Sequence, residues 1–111
     1  RGILSTIYID LKKGSTITSL QKELIRFYKK SQFVKIQKLN TLVSTNNVIN
    51  TNNCIISLCK SKYKDKAILL SSIDNLIKGG AGQAVQNLNI QIDLLRSAYT
   101  SVLKPFQSKE P

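Results

Sequence analysis

The sequence predicts an α+β fold in which a mainly antiparallel sheet carries two helices packed on one face. Three observations in the 111-residue chain support this fold class. Apolar and polar residues alternate with a period of two near the start, and apolar residues recur at helical spacing in two later segments. The predicted elements follow in the order strand, helix, strand, strand, strand, helix, which implies helices on one side of antiparallel strands.

The first predicted element is a strand over residues 1–13. Ile3 and Ile7 share one face of this strand, whereas Leu4 and Tyr8 share the other. Side chains of a strand alternate between its two faces, so this pattern has the period of a strand. A Gly-Ser pair ends the strand.

A first helix is predicted over residues 18–30. Thr18 at the N-cap and Gln21 three residues later form a capping-box pattern, which is typical of a helix start. Basic residues lie mostly on the side opposite the apolar ones, so the helix is amphipathic and about three turns long. Its apolar face consists of Ile17, Leu20, Leu24 and Phe27.

The sequence predicts three further strands in the middle of the chain. A short strand covers residues 33–38, and six Asn residues within 40–53 predict a loop with turns, because Asn bonds its own backbone. Residues 54–60 and 66–73 form a predicted hairpin with a charged tip at 61–65. The nearly continuous apolar character of both hairpin strands predicts that both of their faces are covered.

The two cysteines exclude several kinds of site. Cys54 and Cys59 lie five residues apart in one predicted strand, so they face opposite sides and should form no disulfide. No second cysteine pair and no His exist in the sequence, which excludes a zinc site and a Cys-His or Ser-His couple. We expect both thiols to be buried small hydrophobic groups in a reducing, cytoplasmic compartment.

The positive charge is concentrated in the first part of the chain. Residues 1–66 hold 13 basic and 3 acidic groups, for a net charge of +10, whereas residues 67–111 have a net charge of +1. The simplest interpretation is a solvated basic surface, and attraction of an anionic ligand is the alternative. Few aromatic residues and no RNA-recognition signature argue against nucleic acid, although Tyr8 on a sheet face leaves a basic nucleic-acid-binding module open. No apolar run approaches the roughly 20 residues that span a bilayer, so no membrane contact is expected.

The densest motif covers residues 74–87, Asp-Asn-Leu-Ile-Lys-Gly-Gly-Ala-Gly-Gln-Ala-Val-Gln-Asn. It predicts a strand end, a turn with Asn75, and a glycine-rich start of a second helix. Free N–H groups at a helix start favour anions, and Asn75 offers a donor and an acceptor that suit a carboxamide. The alternative is that the glycines only permit close packing of the helix on the strand. The apolar stripe of this helix consists of Ala81, Ala84 or Val85, Leu88, Ile92 and Leu95.

The motif at 74–87 closely resembles the C-terminal motif of the N-acetyl-gamma-glutamyl-phosphate reductase family. Residues 1–8 resemble the Arg-Gly-Ile-x-x-Thr strand of this family, and residues 50–55 are similar to the segment before its next strand. The resemblance runs in order from residue 1 to about residue 89, some four fifths of the chain. The motif at 74–87 is highly specific, the strand is moderately specific, and the Asn-rich segment is weak on its own.

The resemblance implies a cytoplasmic, homo-oligomeric reductase of arginine biosynthesis that uses NADPH to turn an anionic acyl phosphate into an aldehyde. Enzymes of this type form a thioester on a catalytic Cys with help from a His, and a hydride then reduces the thioester. A related enzyme acting on an aminoadipyl or aspartyl phosphate is the alternative within the same superfamily of semialdehyde dehydrogenases.

The chain departs from the family pattern in three respects. It contains no nucleotide-binding domain, neither cysteine stands in a Pro-Gly-Cys context, and it has no His. We therefore expect no catalytic residue and no metal ligand in these 111 residues, and no activity from them alone. The predicted division is a fragment of the C-terminal dehydrogenase-like domain over 1–96, followed by a tail of uncertain structure over 97–111.

The resemblance also implies roles for individual residues. Asn75 matches the Asn of a strand-to-helix turn that bonds the nicotinamide carboxamide in dehydrogenases with such a domain. Lys78, Gly79 and Gly80 would border the NADP cofactor or close two domains on each other. Arg1 would approach the anionic substrate.

Overall fold

The computed structural model describes residues 1–107. The elements are β1 Ile3–Asp10, α1 Ile17–Tyr28, β2 Val34–Ile36, β3 Cys54–Lys60, β4 Lys66–Ile73 and α2 Gly82–Gln107. A 3₁₀ turn, Thr45–Asn47, precedes β3, and a π-helical turn, Ile77–Ala81, precedes α2.

The four strands form one mixed sheet in the order β1-β4-β3-β2. β1 and β3 both pair antiparallel with β4, and β2 pairs parallel with β3. The predicted α+β class with a mainly antiparallel sheet is therefore confirmed. β2 and β3 run parallel because the long Asn-rich loop between them returns the chain to the end of the sheet at which β2 begins. Two parallel strands require such a long crossover connection.

The register of β1 confirms its predicted faces. Ile3 lies opposite Ile73 and Ile7 lies opposite Leu69, so these side chains share one face of the sheet. Tyr8 on the other face lies opposite Ile68. The hairpin of β3 and β4 also has the predicted bounds.

The predicted start of α1 is wrong by two residues. The N-cap is Thr16, whose Oγ1 accepts a hydrogen bond from the Ser19 N–H at 3.1 Å. Ser19 Oγ accepts in return from the Thr16 N–H at 3.0 Å, so Ser19 takes the place of the usual Glu or Gln. Gln21, the predicted N3 residue, is instead buried, and its Nε2 donates to the carbonyl of Gln37 at 2.6 Å.

The core of the described residues lies on both faces of β3. Leu58 is fully buried on one face, and Ser57 is fully buried on the other. The Asn-rich loop covers the second face, since Ser57 Oγ donates to the Thr41 carbonyl at 2.6 Å and Ser72 Oγ donates to the Ser44 carbonyl at 3.2 Å. The prediction of coverage on both faces is therefore correct for β3.

Both cysteines are free and half-buried in β3. Cys54 lies opposite Ile73 and Cys59 lies opposite Ile68, five residues along the strand, so the two thiols face opposite sides of the sheet. The predicted absence of a disulfide between them is confirmed.

The two helices differ in their packing. α1 contacts β2 and β3, as predicted for a helix on the sheet, whereas α2 mainly contacts the π-helical turn that precedes it. The predicted packing of both helices on one face of the sheet is therefore found for α1 and not for α2. α2 crosses the predicted division between residues 96 and 97, which stays a prediction, and residues 108–111 of the predicted tail lie outside the described residues. Although α2 is 26 residues long, no helix within residues 1–107 is apolar enough to cross a membrane.

Candidate functional site

The candidate site lies at the end of the sheet where β1 begins and β4 ends. Because Ile3 pairs with Ile73, the two residues before β1 meet the two residues after β4. The structure thus brings together Arg1 and Gly2 with Asp74 and Asn75, which we call the strand-end cluster.

Asp74 is the centre of the strand-end cluster and is fully buried. Its Oδ2 accepts from Arg1 Nη2 at 2.5 Å and from the Asn50 N–H at 2.8 Å, and its Oδ1 accepts from the Leu76 N–H at 3.0 Å. The hydrogen bond from Arg1 has the largest effect on the pKa of Asp74, and the two backbone N–H groups act in the same direction. Together they lower this pKa from 3.8 to about 2, although burial of the carboxylate acts to raise it. The carboxylate is therefore a fixed negative charge that organises the cluster.

Asn75 is tied to the start of β1. Its Oδ1 accepts a hydrogen bond from the Gly2 N–H at 2.7 Å. Gly2 has a φ of 100°, and a Cβ at this position would lie 2.7 Å from the Cβ of Thr45. Only glycine adopts this backbone conformation readily and leaves room for so close a neighbour. A glycine at position 2 is therefore needed to form the strand-end cluster.

A second polar group, the Gln86 cluster, fixes the first turn of α2. Gln86 Oε1 accepts from Lys78 Nζ at 2.8 Å and from Asn52 Nδ2 at 2.9 Å. Lys78 Nζ also lies 5.4 Å from the centre of the Phe33 ring, a distance typical of a cation–π contact. The Lys78 ammonium is thus held in place by the body of the domain.

The glycines of the motif divide into two groups. A Cβ on Gly82 would lie 2.5 Å from Ile77 Cγ2 and 2.6 Å from Asn52 Oδ1, so this glycine permits close packing. Gly79 and Gly80 are exposed, and a Cβ on Gly79 would meet no atom within 4 Å. Close packing therefore explains Gly82, whereas the backbone at Gly79 and Gly80 is open to a ligand.

The sequence predicts five site residues, and the structure places all of them around the end of β4, namely Arg1, Asn75, Lys78, Gly79 and Gly80. The buried role of Asp74 was missed because its partner Arg1 is 73 residues away and only the strand register brings them together. Gln86 and Asn52 were also missed, since neither differs in sequence from a solvated amide.

The chemistry available here is binding and orientation. Among residues 1–107, no three His, Cys, Asp or Glu residues lie close enough to hold a metal ion. Asn75 and the glycine backbone offer neutral hydrogen-bonding groups, and Lys78 offers a positive charge. Such a set can hold and orient a ligand that carries a carboxamide or phosphate groups.

The comparisons with known proteins show the family of the chain. The family model described as "Semialdehyde dehydrogenase, dimerisation domain" matches residues 1–75. The chain is 42% identical over 105 residues to the "N-acetyl-gamma-glutamyl-phosphate reductase" of Clostridium botulinum (strain Eklund 17B / Type B), covering 95% of this chain and 30% of that protein. It is 45% identical over 93 residues to the protein of the same name from Staphylococcus aureus (strain USA300), covering 84% and 27%. The chain thus spans about 30% of the length of these relatives.

Proposed function

Because the chain belongs to the family of semialdehyde dehydrogenase dimerisation domains, we propose that it is part of an NADP-dependent reductase of arginine biosynthesis. The enzyme converts N-acetyl-glutamyl phosphate into N-acetyl-glutamate semialdehyde. The observation that carries this proposal is the 42% identity, across 95% of the chain, to a relative named N-acetyl-gamma-glutamyl-phosphate reductase. The strand-end cluster supports it, because its residues come from the segments that match the family pattern.

The chain supplies binding groups to this reaction. Asn75 bonds the carboxamide of the nicotinamide ring, and the open backbone at Gly79 and Gly80 lets the cofactor approach. Lys78, held by Gln86, borders the cofactor with its positive charge. Arg1 pairs with Asp74 but keeps a side chain that is 37% exposed, so its other N–H groups can face the anionic substrate.

The remaining chemistry comes from the rest of the reductase. NADPH supplies the hydride, and a nucleophilic thiol and its acid-base partner lie outside this chain, since both cysteines here are within β3 and no His is present. The two free thiols suit the reducing cytoplasm, which we propose as the location.

We also propose that the reductase is a homo-oligomer assembled through this domain. The description of the family names dimerisation. β1 supports the proposal, because apolar side chains are exposed on both of its faces, namely Ile3, Leu4, Ile7 and Tyr8. An edge strand of this kind favours association with a further protein surface.

The test is an assay of the full-length protein beside the 111-residue chain. The full-length protein should reduce NADP⁺ when N-acetyl-glutamate semialdehyde and inorganic phosphate are both present, and the reaction should stop when phosphate is omitted. The 111-residue chain should give no turnover, because nucleophile and acid-base partner are absent.

Two outcomes would contradict the proposal. Preference of the full-length protein for aspartate semialdehyde or its aminoadipate counterpart would favour a related reductase. Absence of any NADP-linked activity, together with salt-dependent binding of oligonucleotides by the chain, would favour a nucleic-acid-binding module.

A further inference from the structure

We propose that the chain carries a binding site for a small molecule with a phosphate group, at the end of the sheet opposite the strand-end cluster. The site is a cavity of about 300 Å³ between the tip of the β3–β4 hairpin and the start of α1. None of the residues that line it belongs to the strand-end cluster or to the Gln86 cluster. The proposal therefore goes beyond the proposed function and does not depend on it.

Two segments of the chain, 11–17 and 60–66, form the walls of this cavity. The Leu11 N–H donates to the Asp65 carbonyl at 2.7 Å, which ties the end of β1 to the hairpin tip. Within the tip, the Tyr63 N–H donates to Ser61 Oγ at 3.2 Å, and the Tyr63 carbonyl accepts from the Lys66 N–H at 3.2 Å. These hydrogen bonds hold both walls in place, so the cavity is formed before any ligand binds.

The cavity is lined by three lysines. Lys66 is paired with Asp10, but within residues 1–107 neither Lys60 nor Lys64 forms a salt bridge. Residues 60–66 hold four lysines and one aspartate, so the hairpin tip has a net charge of +3 even with Asp65 included. Lys60 and Lys64 thus bring positive charge to the cavity that no ion pair neutralises.

Hydroxyl groups stand among these lysines, on Ser15, Thr16, Ser61 and Tyr63. Ammonium and hydroxyl groups both donate hydrogen bonds to anionic oxygens. A phosphate group brings three acceptor oxygens and close to two negative charges at neutral pH, so it can engage several of these donors at once. The volume of the cavity lies at the lower end of the range of roughly 300–1,000 Å³ for ligand sites, which limits the ligand to a small molecule.

This site is separated from the strand-end cluster by the full length of β1 and β4. Asp10 lies opposite Lys66 at one end of the strand pair, and Ile3 lies opposite Ile73 at the other. Residues of a strand advance by about 3.3 Å each, so the two ends are roughly 23 Å apart. A small molecule in the cavity therefore cannot reach the strand-end cluster, and the cavity is a second site.

The decisive variant is Lys60→Ala/Lys64→Ala in the full-length protein, with pyrophosphate as the probe. Lys12→Ala/Lys13→Ala is the matched control, because it removes the same charge from exposed lysines at this end of the sheet that do not line the cavity. Titration calorimetry should show that the first variant binds pyrophosphate at least about tenfold more weakly and the control within about threefold of the unmodified protein. Thermal unfolding reports whether both variants keep the fold.

A second measurement needs no variant. Amines of the unmodified full-length protein are acylated with and without saturating pyrophosphate, and mass spectrometry gives the rate at each lysine. Pyrophosphate should slow the acylation of Lys60 and Lys64 by at least about threefold, because a bound anion occupies their ammonium groups. The rates at Lys12 and Lys13 should stay unchanged.

Three outcomes would overturn the proposal. Equal weakening by both pairs of substitutions would mean that pyrophosphate senses only the general positive charge of the surface. Protection of Lys78 in place of Lys60 and Lys64 would put the anion at the start of α2, and absence of pyrophosphate binding would leave the cavity without a ligand. Absence of reductase activity would instead overturn the proposed function and leave the result at the cavity unaffected.

Discussion

The inner strands and the edge strand β1 carry similar apolar residues, yet their burial is very different. Leu58 in β3 and Ala67 in β4 are fully buried, whereas Ile7 and Tyr8 in β1 are 47% and 76% exposed. The same contrast separates the core from α2, where Leu88 is 55% exposed. Hydrophobic periodicity therefore predicts which face of an element is apolar, but it does not predict what covers that face.

The polar clusters belong with the buried region. The carboxylate of Asp74 has three donors from three separate segments, and the Gln86 amide oxygen has two. These groups need no further partner to be satisfied. The chain thus combines a buried interior and hydrogen-bonded polar clusters with exposed apolar surfaces on β1 and α2. Among the buried side-chain nitrogen and oxygen atoms of the described residues, only Oδ1 of Asn52 and Oε1 of Gln21 have no hydrogen-bond partner.

The largest expected difference between the two regions concerns leucine truncation. Leu58→Ala should lower the free energy of unfolding by about 2–5 kcal/mol, because it leaves a cavity in the core. Leu88→Ala on the exposed face of α2 should change it by less than about 0.5 kcal/mol in the 111-residue chain. Urea denaturation of both variants gives the two values.

The full-length protein sharpens this test. If α2 packs against the remainder of the full-length protein, Leu88→Ala should destabilise the full-length protein clearly more than the 111-residue chain. Equal small effects in both proteins would mean that the apolar stripe of α2 stays exposed in the full-length protein as well.

A smaller effect is expected from acid at the strand-end cluster. The pKa of Asp74 is about 2 in the folded chain, below that of an unfolded aspartate, so the unfolded state takes up the proton first as the pH falls. The stabilisation by Asp74 is therefore complete above about pH 4 and is lost progressively towards pH 2. Unfolding measured between pH 7 and pH 2 should show this loss.

Two variants assign the acid effect to Asp74. Asp74→Asn should be less stable than the parent at pH 7, and the difference should shrink towards pH 2. Asp93→Asn removes an exposed carboxylate of α2 and should keep the steep acid loss of the parent. An acid profile of Asp74→Asn that parallels the parent would place the titrating group elsewhere.

Much of the fold could be predicted because its signals are local. The alternation in β1 and the apolar hairpin strands gave bounds close to those observed, since strand side chains alternate independently of the rest of the chain. The parallel pairing of β2 could not be predicted, because a three-residue strand has no pattern that fixes its direction. The role of Asp74 could not be predicted either. Its partner Arg1 is 73 residues away in the sequence, and only the pairing of β1 with β4 brings the two side chains together.

The smallest expected effect concerns the N-cap of α1, which the sequence predicts at Thr18 and the structure places at Thr16. Thr16 makes the reciprocal hydrogen bonds with Ser19, so Thr16→Ala should cost about 1 kcal/mol of stability. Thr18 is exposed within the first turn, where alanine has the higher helix propensity, so Thr18→Ala should be neutral or stabilising by a few tenths, roughly 0.3 kcal/mol. Denaturant unfolding measures both changes, and amide hydrogen exchange should become faster in the first turn of α1 only for Thr16→Ala. A larger loss from Thr18→Ala would place the cap at Thr18 and would remove the reason why α1 begins at Ile17.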